Sequence, residues 1–164
     1  MAVANNKNVD GETAEAACVE RRAAMAVLAQ AEADDIERGL RLVGDGVEFT
    51  EPRPVETGLI MLCGRIGGDG APFNAGEATV TRAAVQLASG VIGFGYVLGR
   101  DHRKARAVAL CDALLQADDY RLSVEQHVLA PLRLAQQQRR VFARAQTAAT
   151  RVDFFTLVRG EDER

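Results

Sequence analysis

The sequence predicts an α+β fold: an antiparallel sheet of three to five strands flanked by helices, with an N-terminal helical hairpin. Three observations carry this reading. Apolar residues recur at helical spacing before Gly44 and again after Asp101. The stretch between them is rich in β-branched residues and broken by Pro52, Pro54 and several glycines. Within that stretch Ala88-Ser89-Gly90 is a turn signal between two strand-like runs.

The elements follow in order. Met1 to Gly11 reads as a flexible N-terminal arm, and residues 12–164 as a single domain. A helix is expected from about Glu12 to Ala31, with Ala17, Ala24, Met25 and Leu28 on one face. A second runs from about Ala33 to Val43, striped by Ile36, Leu40 and Val43. Asp34 is its candidate cap, and Gly44 and Gly46 stop it. Pro52 and Pro54 keep residues 47–54 extended, because helix is disfavoured before proline. Val55 to Cys63 reads as a strand, Gly64 to Gly76 as a glycine-rich loop, Glu77 to Leu87 as a strand and Val91 to Leu98 as its return.

A helix is then expected over His102 to Ala117, lined by Val108, Cys111 and Leu115. Ser123 with Gln126 has the capping-box spacing, and Pro131 is placed to start a new helix to about Thr150. Leu134, Val141, Phe142 and Ala145 are expected to face inward there. The run Val152 to Val158 is strand-like.

Composition narrows the function classes. The chain has 164 residues, net charge −3 and 48% hydrophobic residues. That suits one globular domain burying roughly 70% of its unfolded surface. Mild acidity gives no drive toward nucleic acid or anionic membrane, and the absence of Trp argues against a base-stacking binder. No apolar run approaches the ~20 residues of a spanning helix, and the polar start lacks a signal-peptide core. A cytoplasmic protein is expected. Cys18, Cys63 and Cys111 are widely spaced and include no CxxC pair. With His102 and His127 as the two histidines, no metal site is expected within the chain.

Four segments could carry chemistry. In Arg65-Ile66-Gly67-Gly68-Asp69-Gly70, successive glycines let backbone N–H groups converge on an anion beside an arginine. The alternative is a flexible connection between strands, and no P-loop spacing is present. Gly93-Phe94-Gly95-Tyr96-Val97-Leu98-Gly99 superficially resembles a dinucleotide fingerprint, but the spacing is GxGxxxG. Period two instead puts Phe94, Tyr96 and Leu98 on one face and the glycines on the other, which suits close approach by another backbone. Arg100, Arg103, Lys104 and Arg106 crowd a helix start that already favours negative charge. They fit either an anion or a solvated face. Arg151-Val152-Asp153-Phe154-Phe155-Thr156-Leu157-Val158-Arg159-Gly160 is an apolar strand-former that needs burial, in its own sheet or against a partner. Phe94, Tyr96, Arg151, Asp153, Phe154, Phe155 and Leu157 are the candidate interface residues. No nucleophile has a base evident in the sequence.

Glu56-Thr57-Gly58-Leu59, Arg65 with Gly67-Gly68 and Gly70, Phe73 and Gly76 resemble the PhnG family of the carbon–phosphorus lyase system. So do Thr81-Arg82-Ala83-Ala84-Val85, Gly99-Arg100-Asp101, Ala130-Pro131-Leu132 and Arg151-Val152-Asp153-Phe154-Phe155. The resemblance runs from about Glu56 to Gly160. It implies a subunit that joins PhnI, PhnH and PhnJ in a symmetric core complex, with PhnL as accessory. The complex would displace adenine from ATP with an alkylphosphonate, giving ribose 1-alkylphosphonate 5-triphosphate. PhnJ, an iron–sulfur radical enzyme using S-adenosylmethionine, would later break the carbon–phosphorus bond. The resemblance transfers no catalytic residue, and it implies no cofactor held by this chain alone, with ATP as substrate of the complex. The expected role is to hold PhnI in an active arrangement. Arg65, Arg82, Arg100 and Arg103 are the cations that could reach substrate phosphates. A stand-alone phosphonate or nucleotide transferase and a scaffold without substrate contact are the two alternatives.

Overall fold

Residues 7–44 and 46–151 are described by the computed structural model, with side chains from Glu15 onward. Helix α1 spans Lys7–Gln30 and α2 spans Ala33–Val43. Strands β1 (Phe49–Arg65), β2 (Pro72–Leu87) and β3 (Ile92–Leu98) follow, then α3 (His102–Gln116), α4 (Asp118–Val124) and α5 (Ala130–Ala149). Among the described residues the strands form one antiparallel sheet in the order β1-β2-β3. This is the α+β architecture expected from the sequence, with the helical hairpin in place. The expected strand at Val152–Val158 and most of the expected arm lie outside the described residues. The arm's last residues, from Lys7, belong to α1.

The boundaries correct several local expectations. The loop expected over Gly64 to Gly76 contracts to a turn over residues 66–71, and both strands run on to Arg65 and from Pro72. The glycines serve that turn: Gly67 and Gly68 sit at φ +67° and +89°, where a Cβ would be strained. Pro52 and Pro54 fall where β1 slips its register against β2, because proline cannot donate to the ladder. Asp34 is not the cap of α2; Glu32 occupies that position and makes no side-chain cap bond. Asp34 and Asp35 sit in the first turn, where the helix dipole favours them.

Ser123 is not a cap either, since it lies inside α4. The chain stays helical from α4 through a wide π-turn, Glu125–Leu129, into α5. Pro131 explains the turn. It has no N–H for the carbonyl of His127 and its ring would clash with that carbonyl, so the turn widens. Gly39 of α2 packs there, and a Cβ on it would stand 2.7 Å from the His127 oxygen.

The core lies between the sheet and the helices. Leu28, Ile36, Val85, Val108, Leu114 and Val124 are fully buried in it. On β3 the glycine face meets α3 at backbone distance. A Cβ on Gly95 would fall inside the carbonyl oxygen of Ala105, and one on Gly93 inside that of Ala109. The alanines at 105, 109 and 113 keep the helix equally bare on that side. Asp101 caps α3, its Oδ1 accepting the Lys104 N–H at 2.8 Å.

One expectation about burial is overturned. Leu134, Val141, Phe142 and Ala145 do not face inward; every residue from Gln137 to Arg151 is exposed. No other described element covers that part of α5. Ala17 of α1 is exposed for the same reason, whereas Ala24 and Leu28 are buried.

Candidate interaction surface

The two faces of the sheet differ in what covers them. Cross-strand partners share a face, so the register defines the outer one: Ile92 opposite Gln86, Phe94 opposite Ala84, Tyr96 opposite Arg82 and Leu98 opposite Val80. On β1 the same face continues through Glu56 opposite Arg82, Gly58 opposite Val80 and Ile60 opposite Ala78. Helix α3 packs on the opposite side, against Gly93 and Gly95. On β3 the outer side chains stay bare, Phe94 56% exposed, Tyr96 53% and Leu98 72%, while Val80 and Ala84 of β2 are buried beside them. Contiguous apolar patches of this kind mark binding surfaces on soluble proteins.

A charged group sits within this face. Glu56 Oε1 lies 2.9 Å from Arg82 Nε and 3.0 Å from an Arg53 nitrogen. The oxygen is closed off from solvent without a well-aligned hydrogen bond, so the contact is ionic in character. Tyrosine, phenylalanine and arginine side by side are the residue types enriched in protein–protein contacts.

The free edge of β3 is partly closed by α3. Phe94 donates its N–H to Asp112 Oδ2 at 2.8 Å, and Gln116 Nε2 donates to the Ile92 carbonyl at 3.1 Å. Asp112 is 1% exposed and also takes Arg21 of α1 in two bonds, of 2.7 and 2.6 Å. The Asp112 hydrogen bond raises the Arg21 pKa above its ordinary value, with burial opposing it.

The cations at the start of α3 have internal partners. Arg103 donates to Glu37 at 2.6 Å and to Asp34 at 3.0 Å, and the Glu37 and Asp34 bonds push its pKa up. Lys104 Nζ donates to the Ala29 carbonyl at 2.8 Å. Arg106 pairs with Glu51, which raises its pKa. These contacts tie α3 to the helical hairpin and to β1. Arg100 is exposed and has no ion pair among the described residues.

The other expected anion contacts lie apart. Arg65, Gly67, Gly68 and Gly70 sit at the tip of the β1–β2 hairpin, where Arg65 Nη1 reaches only the Gly70 carbonyl, at 3.4 Å. The Gly70 N–H is taken by the Ile66 carbonyl at 3.1 Å. Gly99 bonds Thr79, and β2 runs from there to Pro72 at the tip. At ~3.3 Å per residue, that separates the tip from Arg100 by roughly 23 Å. Arg82 lies three residues beyond Thr79 along β2, further still from the tip, on the outer face. Arg151 is exposed beyond the end of α5, and Asp153, Phe154, Phe155 and Leu157 lie outside the described residues.

Residues 19–160 match the family described as phosphonate metabolism protein PhnG. The chain belongs to the PhnG family. Over 149 residues it is 46% identical to the alpha-D-ribose 1-methylphosphonate 5-triphosphate synthase subunit PhnG of Rhizobium meliloti (strain 1021), covering 90% of this chain and 94% of that one.

Two polar features of the chain escape sequence reasoning. Asp112 is one; its signal was a single acid inside the apolar run Ala109-Leu110-Cys111-Asp112-Ala113-Leu114. The other is a thread of side chains. Thr81 Oγ1 donates to the Gly99 carbonyl at 2.7 Å, Thr57 Oγ1 lies 3.2 Å from Thr81 Oγ1, and His102 Nε2 lies 2.9 Å from Thr57. Thr81 spends its one hydrogen on Gly99, so Thr57 donates to Thr81 and must accept from His102. The proton of a neutral His102 is therefore on Nε2. Among the described residues no group of three His, Cys, Asp or Glu side chains could hold a metal ion, and no helix is long and apolar enough to cross a membrane.

Proposed function

We propose that this chain is a subunit of a cytoplasmic assembly that displaces adenine from ATP with an alkylphosphonate, giving ribose 1-alkylphosphonate 5-triphosphate. Its part is to hold the catalytic subunit rather than to perform the substitution. The observation that carries this is the uncovered outer sheet face, with Phe94, Tyr96 and Leu98 bare around the Arg82–Glu56 pair. The named relative, a synthase subunit, supports the same reading. The expected partners are PhnI, PhnH and PhnJ, with PhnL as accessory, and the outer face seats PhnI.

Anion contact is a second element of the proposal. Arg103 and Arg82 are neutralised by carboxylates in this chain. Arg100 and the Arg65 tip are the cations left to face triphosphate or phosphonate. Departure of adenine builds positive charge at ribose C1, so fixing the anions and excluding water assist the step.

Adenine release from ATP and methylphosphonate tests the role. The assembled subunits turn over, and this chain alone does not. Release by the isolated chain overturns the proposal. Full turnover by the assembled Arg65→Glu/Arg100→Glu variant removes the anion contact and leaves a scaffold.

A further inference from the structure

The exposed half of α5 is built against its own stability. From Gln137 to Ala149 every residue is exposed, with α1 bordering one side, and an isolated helix of this length is marginal in water. Helix α5 contains Arg133, Arg139, Arg140 and Arg144 and no Asp or Glu, in a chain whose net charge is −3. Arg133 pairs with Glu125; Arg139, Arg140 and Arg144 have no ion pair among the described residues. Arg140 and Arg144 are one turn apart, a spacing at which like charges repel.

The arrangement around the helix is ordered. At 100° per residue, Leu134, Val141, Phe142 and Ala145 form one stripe, bordered by Arg139 on one side and by Arg140 and Arg144 on the other. Val141 and Phe142 are 60% and 66% exposed. Arg140 and Arg144 also border the groove between α5 and α1, beside Val27 and Gln30.

We infer that this half of α5 is a docking helix for another protein subunit, one that presents an acidic groove with an apolar floor. The inference rests on the subunit reading above and gives that subunit's surface its charge. Val141 and Phe142 would enter the floor while carboxylates on the rims pair with the arginines, which have no ion pair among the described residues. A nucleic-acid backbone offers no seat for the apolar stripe. Leu134, Val141 and Phe142 are too few large apolar groups to hold a helix in a lipid surface.

The test compares wild type with Arg139→Glu/Arg140→Glu/Arg144→Glu, each co-expressed with the partner subunits, by measuring Kd across a salt series. Thermal stability of the isolated variant should stay close to wild type, because these side chains are exposed and make no ion pair among the described residues. The expected result is a Kd raised tenfold or more, with a shallower slope of log Kd against log salt. An unchanged Kd and slope in a complex that still forms overturns the docking helix and leaves the subunit reading standing. Failure of wild type to form any complex overturns both. Arginine-dependent binding to anionic vesicles or duplex DNA, with the complex unaffected, also overturns the assignment.

Discussion

Arg21 and Asp112 are 91 residues apart in sequence and form a two-bond ion pair at 2.7 and 2.6 Å. The same carboxylate accepts the N–H of Phe94 at 2.8 Å. One buried side chain thus joins α1, α3 and the edge of β3, and it fixes the strand that carries the exposed aromatic residues.

Asp112→Ala strands two donors, the Arg21 guanidinium and the Phe94 N–H. Breaking a buried pair costs about 3–5 kcal/mol, and the lower end applies because Arg21 is partly exposed. Asp112→Asn keeps the shape and loses the charge, so its cost should be smaller. Denaturant midpoints of the two variants check the order. Equal midpoints for Asp112→Ala and wild type would remove the clasp from the account.

The glycine face of β3 makes a second prediction. Gly95→Val must push α3 off the sheet, because the new side chain meets the Ala105 backbone. A loss of about 1–3 kcal/mol or more is expected, from overpacking. Gly58 is the control, with nothing within 4 Å of an added Cβ and no positive φ. Gly58→Ala should leave the thermal midpoint almost unchanged.

Burial pushes the Cys111 thiol well above its ordinary pKa, and the charge of Asp112 adds to it. Alkylation of the native chain near pH 8.5 should modify the exposed Cys18 and Cys63 and spare Cys111. The sign for stability follows. The unfolded thiol ionises near pH ~8.5 and the folded one does not, so this contribution is intact below that pH and declines above it. Mass spectrometry of labelled protein, native and denatured, reads the difference directly.

Arg103 tests the tie between α3 and the hairpin. Arg103→Glu turns two attractive contacts, with Asp34 and Glu37, into repulsive ones. Amides of α2 should exchange faster in this variant, and adding Asp34→Lys with Glu37→Lys should slow them again. Exchange in α2 that is indifferent to both changes would mean the pairs hold nothing.

The sequence carried the fold class because its signals were local. The Ala33–Val43 helix rests on apolar spacing, which neighbours in sequence supply. The glycine face of β3 was legible for a different reason: period two separates Gly93 and Gly95 from Phe94 and Tyr96 wherever the strand sits. What failed depended on distant partners. Ser123 has a cap's spacing, but the helix runs through it. Nor does sequence show that α2 places Asp34 and Glu37 beside Arg103. Val141 and Phe142 have a core stripe's spacing, yet no element of the described chain lies over them. Periodicity shows which side chains share a face. It does not show whether the surface covering that face belongs to the same chain.

The bare outer face of the sheet is where the account is most exposed to test. The decisive measurement is co-purification of PhnI, PhnH and PhnJ through a tag on this chain, for wild type and for Phe94→Ser/Tyr96→Ser. Both side chains are largely exposed, so the variant's stability should stay within about 0.5 kcal/mol of wild type. The account predicts that wild type brings its partners and that the equally stable variant elutes alone. A variant that retains every partner, or a wild type that elutes as a solitary monomer, would contradict it.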